Sequence, residues 1–204
     1  MEKQTNSLEH RRNHITYGHM NMIHDFKKLW TELTIWQRTL IGSMAASFGD
    51  RDLINQRLYR ITSEFKNKLQ MFYGKVLPER LEFLLIKHLV TAEGVITALK
   101  DGNQEAADQG ISDWYKNCDE MARYMSLINP YWNEAEWRNL LRQYVKMTVE
   151  ETIALFSGAY EKDIEIFDRM SHHSSILGDY MANGVIQQIT ERPRQSWHFL
   201  RIDR

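Results

Sequence analysis

Cysteine occurs once in the 204 residues, at Cys118, which excludes an internal disulfide framework and a four-cysteine zinc site. Proline occurs three times and glycine ten times, and no two glycines are adjacent. Sheet proteins with many turns use more of both. No run of about 18 apolar residues is present, so no membrane span is expected. Neither charge sign is in excess: 26 Lys and Arg stand against 27 Asp and Glu, a formal charge of −1. Nucleic-acid binders usually carry a basic surplus, so that class loses weight. The glycine-rich phosphate cradles and the Gly-x-Ser-x-Gly nucleophile elbow are also missing. The N-terminal MEKQTNSLEHRRNHITYGH is polar and lacks the apolar stretch of a secretory signal. The expectation is a soluble cytoplasmic protein of one domain.

What is present is apolar and helical. Hydrophobic residues make up 43% of the chain and charged residues 26%, enough to bury a core. Phe26, Leu29, Leu33, Trp36, Leu40 and Met44 recur at spacings of three and four, the stripe of an amphipathic helix. Asp50 is placed to cap a second helix with Ile54, Leu58, Ile61, Phe65 and Leu69 on its stripe. Pro78 opens a third, which carries Leu81, Leu84, His88, Ala92, Val95 and Leu99. Asp101-Gly102-Asn103 stops it and starts a fourth, with Ala107, Trp114, Cys118, Met121 and Met125. Asn133 with Glu136 reads as the capping box of a short fifth helix through Tyr144. Thr148 with Glu151 repeats that signature and predicts the start of a long last helix, bent near Gly158 or Gly178. Its stripe is read as Ile153, Phe156, Tyr160, Ile164, Phe167, Met170, Leu177, Met181 and Val185. The fold class is therefore all-α: a single antiparallel bundle of about six helices over residues 21–190. A polar arm at 1–20 and a tail at 191–204 flank it.

Polar residues on apolar stripes are the candidates for chemistry. His88 lies on the buried stripe of the third helix, as a hydrogen-bonded core residue, a metal ligand or a proton-transfer group. Measured from the Asp101-Gly102 turn, His88 and Asp119 stand at roughly 20 Å and 24 Å, so the two readings of Asp119 are a pair with His88 between the third and fourth helices and a solvated residue at the edge of that interface. Asp163 and His173 fall near the apolar stripe of the last helix. Asp168, His172 and Asp179 form a row that is either a metal face or a wet surface. No Glu-x-x-His pair of the ferritin type occurs. His10, His14, His19 and His24 precede or open the first helix and read as solvated. Cys118 reads as a packed thiol, and the tryptophans and methionines as packing. ERPRQSWHFLR at 191–201 mixes basic and aromatic residues and is a candidate docking tail.

LWTELTIWQR (29–38), FYG (72–74), LLIKHLVTA (84–92), WYKNCDEMA (114–122) and INPYW (128–132) occur in this order. They are followed by the stretch from GAYEKDIEIFDRM to GDYMANGVIQQ (158–188). Over about residues 25–189 the pattern resembles an uncharacterised bacterial family of helical-bundle proteins, some of whose members carry the label acetylglutamate kinase. Kinases of that kind are α/β proteins with glycine-rich phosphate loops, and neither feature is in this sequence. The resemblance implies a metal or small-ligand site in the bundle core, in the manner of hemerythrin-like and ferritin-like proteins. It matches His88, Asn117-Cys118-Asp119, Asp163, Asp168, Asp179 and His173 to family positions. Leu33 and Tyr144 stand where the family has histidines. The implied ligand set is His88, Asp119, Tyr144, Asp163 and His173, with a divalent metal ion as the implied cofactor. Two histidines short, such a set would hold a hard cation through oxygen or serve as a buried hydrogen-bond network.

Three readings follow. The first is a non-enzymatic bundle with a degenerate core site, binding a small molecule, a protein partner or a second copy of itself. The second is a hemerythrin- or ferritin-like metalloprotein. The third is an enzyme of another kind, the labelled kinase included.

Overall fold

The computed structural model describes residues 16–191. His10, His14 and all but the first residue of the basic-aromatic tail lie outside them. The chain forms six α-helices: α1 Tyr17–Ala46, α2 Arg51–Tyr73, α3 Val76–Lys100, α4 Gln104–Ile128, α5 Glu134–Phe156 and α6 Tyr160–Glu191. Among the described residues there is no strand. No helix among them is long and apolar enough to cross a membrane.

Turns of two to five residues join the helices, so each runs antiparallel to the next. Consecutive helices pack together and α1 also packs on α6, closing a six-membered ring. The odd-numbered helices α1, α3 and α5 touch one another across its middle. Side chains from these three therefore meet in the core. Phe26, Leu58, Leu69, Leu84 and Met125 are fully buried there. Each such side chain taken from water contributes about 1.5–3 kcal/mol before entropy is counted.

Helix ends follow local chemistry. Thr16 and His19 form a reciprocal capping box at α1, four residues before the expected boundary of the bundle. Asn103 and Asn133 each accept from the backbone three residues on, opening α4 and α5. Asp50 precedes α2 without capping it; its carboxylate accepts instead from the Ser43 hydroxyl. Gly158, at φ +75°, ends α5.

Two expectations are corrected. Thr148 starts no helix: it lies inside α5, and its hydroxyl donates back to the Tyr144 carbonyl at 3.0 Å. With no glycine or proline from 134 to 156, nothing breaks the helix, and Glu151 turns inward instead of capping. The last helix then starts at Tyr160, and its buried face is Asp163, Ile166, Met170, His173, Leu177, Met181 and Val185. Ile153, Tyr160 and Ile164, placed on the stripe by sequence, are exposed. The sequence stripe slipped because the true one begins with a carboxylate. Gly178, one of the two places where a bend was expected, lies inside α6, and a Cβ there would lie 2.5 Å from the Lys27 Cα, so glycine lets α6 close on α1.

Candidate functional site

His88 from α3 and Asn117 from α4 meet in the core. The Asn117 amide nitrogen donates to the Leu84 carbonyl at 3.2 Å, which leaves its Oδ1 facing His88 Nδ1 at 2.9 Å. The imidazole must then donate from Nδ1. Burial holds the His88 pKa down at about 4, against the pull of the Asn117 bond, so the ring is neutral at neutral pH. The Trp114 ring packs edge-on at 5.2 Å.

Asp119 is not its partner. The heights agree to within one turn, but the direction does not: Asp119 sits at the exposed edge of the α4–α5 contact and forks Arg142 at 2.8 and 2.7 Å, with Arg138 at 3.3 Å. Asn117, two residues back, faces inward.

Tyr144 from α5 is fully buried and donates to Gln37 Oε1 at 3.0 Å while accepting from Thr34 Oγ1 at 3.2 Å. Burial pushes its phenol above the usual range. Its ring lies 6.5 Å from that of His88. His173 from α6 is buried, its Nε2 donating to the Leu140 carbonyl at 2.8 Å, and burial holds its pKa down. Asp168 and His172 are exposed, and Asp179 pairs with Lys27 at 2.8 Å, so that row is a wet face.

Asp163 belongs to a second cluster, toward the end of the bundle where α5 turns into α6. Arg38 from α1 donates to both Asp163 oxygens and to Glu151 from α5. The Glu151 and Asp163 side chains are 1% and 4% exposed, Arg38 27%. The guanidinium stacks over Phe167, 4.4 Å from its ring centre. Burial, joined by repulsion from Asp163 and opposed by Arg38, raises the Glu151 pKa to about 7. Glu151 Oε2 has no hydrogen-bond partner within the described protein, nor have Gln37 Nε2 and the indole nitrogens of Trp30, Trp114 and Trp137.

Of the five residues in the implied ligand set, the structure brings only His88 and Tyr144 near each other, and their rings do not bond. Among the described residues no three His, Cys, Asp or Glu side chains are grouped so as to hold a metal ion. The hemerythrin-like and ferritin-like reading has no support in this geometry. Cys118 is buried, its thiol raised to about 12 by burial first and the Asp119 charge second, and is inert as a nucleophile. Sequence reasoning missed Thr34, Gln37, Arg38 and Glu151. Gln37 was findable, since it shares the apolar face of Leu33 and Ile41.

One helical turn beyond Arg38, Glu151 and Asp163 the bundle opens. A cavity of about 650 Å³ lies there, lined among others by Gly42, Ala45, Lys100, Leu155, Phe156 and Tyr160. Lys100 Nζ donates to the Met44 carbonyl at 2.6 Å and to the Ser47 hydroxyl at 3.0 Å.

Protein-family models, curated proteins and solved structures were compared with the chain, and none matches.

Proposed function

We propose that this is a cytoplasmic, non-enzymatic binding protein of the helical-bundle family it resembles, and that its ligand site is the cavity at the α5–α6 turn. The cavity carries this reading. Its volume is within the range of small-molecule sites, which are concave, mostly apolar and furnished with a few polar groups. The polar core beneath it is the degenerate counterpart of a reactive centre. His88, Tyr144 and His173 are each held by a protein partner, an arrangement that specifies packing and offers no assembled nucleophile or metal triad.

Gly42 provides the test. Gly42 lines the cavity and no atom outside its own turn of α1 lies within 4 Å of a Cβ built there, so Gly42→Leu is expected to fill part of the cavity. Cyclohexanol, titrated into isotopically labelled protein, is expected to shift the backbone amide resonances of Gly42, Ala45 and Gly158, and Gly42→Leu is expected to abolish the shifts. Wild-type amides that stay still would overturn the reading.

A further inference from the structure

Lys100 is the one charged side chain among the residues that line the cavity at the α5–α6 turn. Arg38, Glu151 and Asp163 are bonded to one another, and none of them reaches its wall. Asp101, next along the chain from Lys100, lines a separate groove beside Val90 and Glu93.

The Lys100 ammonium has no counter-charge. Lys27, Lys66, Lys68, Lys87 and Lys116 are each paired with a carboxylate. Among the described residues Lys100 has no such pair. Its Nζ donates to two neutral acceptors, the Met44 carbonyl at 2.6 Å and the Ser47 hydroxyl at 3.0 Å. An ammonium has three N–H donors, so one is left. The two bonds hold the group where α1 and α3 end. A lysine already held still has less rotamer freedom to lose when a ligand meets it.

The helix ends around the cavity do not cancel this charge. Carbonyls at a helix C-terminus attract cations where they are unpaired. Here Ser43 and Met44 accept from the amides of Phe48 and Ser47, and Ala154 and Leu155 from those of Ala159 and Gly158. At the end of α3, Ala98 and Leu99 accept from Asn103 and Gly102. α6 presents its N-terminus at Tyr160, the end of a helix that carries partial positive charge. Ala45, Leu155 and Phe156 supply apolar surface.

We infer that the cavity takes a small organic anion, one carboxylate on an apolar body. The carboxylate accepts the third N–H of Lys100, and the body lies against Ala45, Leu155 and Phe156. This rests on the cavity being the ligand site. A phosphate group suits the wall less well, because its oxygens ask for several donors where Lys100 has one left. An organic cation would face the Lys100 ammonium with no carboxylate on the wall to receive it, and is rejected.

The experiment pairs two probes of one shape, cyclohexanecarboxylate and cyclohexanol, titrated separately at neutral pH and followed at the Gly42, Ala45 and Gly158 amides. The carboxylate is ionised there. It is expected to bind about fivefold tighter or more, a ratio that one charge-assisted hydrogen bond supports. Lys100→Gln keeps a donor for the Met44 carbonyl and removes the charge, and in it the ratio is expected to fall to near one. A preference that survives in Lys100→Gln would overturn the assignment. Salt decides the matter if that variant does not fold. Raising the ionic strength from about 0.01 M to about 1 M is expected to bring the wild-type ratio toward one by weakening the carboxylate alone. A ratio that salt leaves unchanged would overturn the inference. Equal binding of the two probes to the wild type would also overturn it, while leaving the cavity reading standing. No shift with either probe would overturn both.

Discussion

Arg38 grips Asp163 with both terminal nitrogens, Nη1 to Oδ1 at 3.0 Å and Nη2 to Oδ2 at 2.7 Å. The same Nη1 reaches Glu151. A single guanidinium therefore ties α1 to α5 and to α6, and it is the only cation bonded to either carboxyl among the described residues. Removing one member of a buried ion pair is costly because the other charge stays behind without its partner. Arg38→Met keeps the length of the side chain and its apolar contact with Phe167 but strands two carboxyls. It is expected to lower the free energy of unfolding in urea by about 3–5 kcal/mol. The triple variant Arg38→Met, Glu151→Met, Asp163→Leu, which strands nothing, is expected to recover most of that loss. A single variant as stable as wild type would mean the cluster is solvated.

Glu151 and His88 give stability opposite dependences on pH. The Glu151 pKa is raised from 4.5 to about 7, so the folded state holds a proton that the unfolded state releases. Its contribution is full below 4.5 and is lost as pH rises through 7. The His88 pKa is lowered from 6.5 to about 4, so its contribution is full above 6.5 and is lost as pH falls through 4. His173, also lowered, adds to the His88 side. Between 4.5 and 6.5 the slopes oppose one another. Glu151→Gln is expected to make stability rise with pH across that interval, and His88→Gln to make it rise less steeply or fall. Each group contributes on the order of 3 kcal/mol over its full titration. Urea unfolding at both ends of the interval measures it, and identical slopes in the two variants would refute the assignment.

The fold was legible in the sequence because apolar spacing is a local signal. The number of helices follows from it, and so does the antiparallel order, since the turns are short; the boundary between α5 and α6 does not. What failed did so where a polar residue took a core position. Asp163 heads the buried stripe of α6, so an apolar-only reading chose Ile164 and shifted the phase. Glu151 faces inward, yet in sequence Thr148 and Glu151 look like a cap, because a capping box and a buried polar pair share the same spacing. Asn117 and Asp119 are both on α4, and height above the turn does not tell them apart. Their difference is rotational, about 200° around the helix. His88 and Tyr144 stand on stripes read from sequence and Asp163 and His173 only near one; all four are buried, but their partners come from distant helices, and spacing within one helix carries no information about those.

The two α4 residues make a direct comparison. Asn117→Ala leaves the buried Nδ1 proton of His88 without its partner, a loss of about 1–3 kcal/mol. Asp119→Ala removes an ion pair whose members are more than a third exposed, and such pairs are worth about 0–1 kcal/mol. The order Asn117 well above Asp119 in denaturant unfolding is the expected result. The reverse order would put Asp119 against His88 after all.

Gly178 sets helix propensity against packing, and the two predict opposite signs. In an isolated helix, glycine to alanine is favourable by about 1 kcal/mol. At Gly178 the new Cβ would stand 2.5 Å from Lys27 Cα and 2.7 Å from Lys27 N, both backbone atoms that cannot swing aside. Either α1 and α6 separate along their shared face or the methyl is squeezed, and overpacking of this kind costs about 1–3 kcal/mol. Gly42→Ala is the matched control, being interior to α1 with open space at its Cβ. The packing term is the larger, so Gly178→Ala is expected to melt below wild type and Gly42→Ala at or above it. Were both to melt above wild type, the α1–α6 contact at Lys27 would be looser than this geometry, and the ring would not close there.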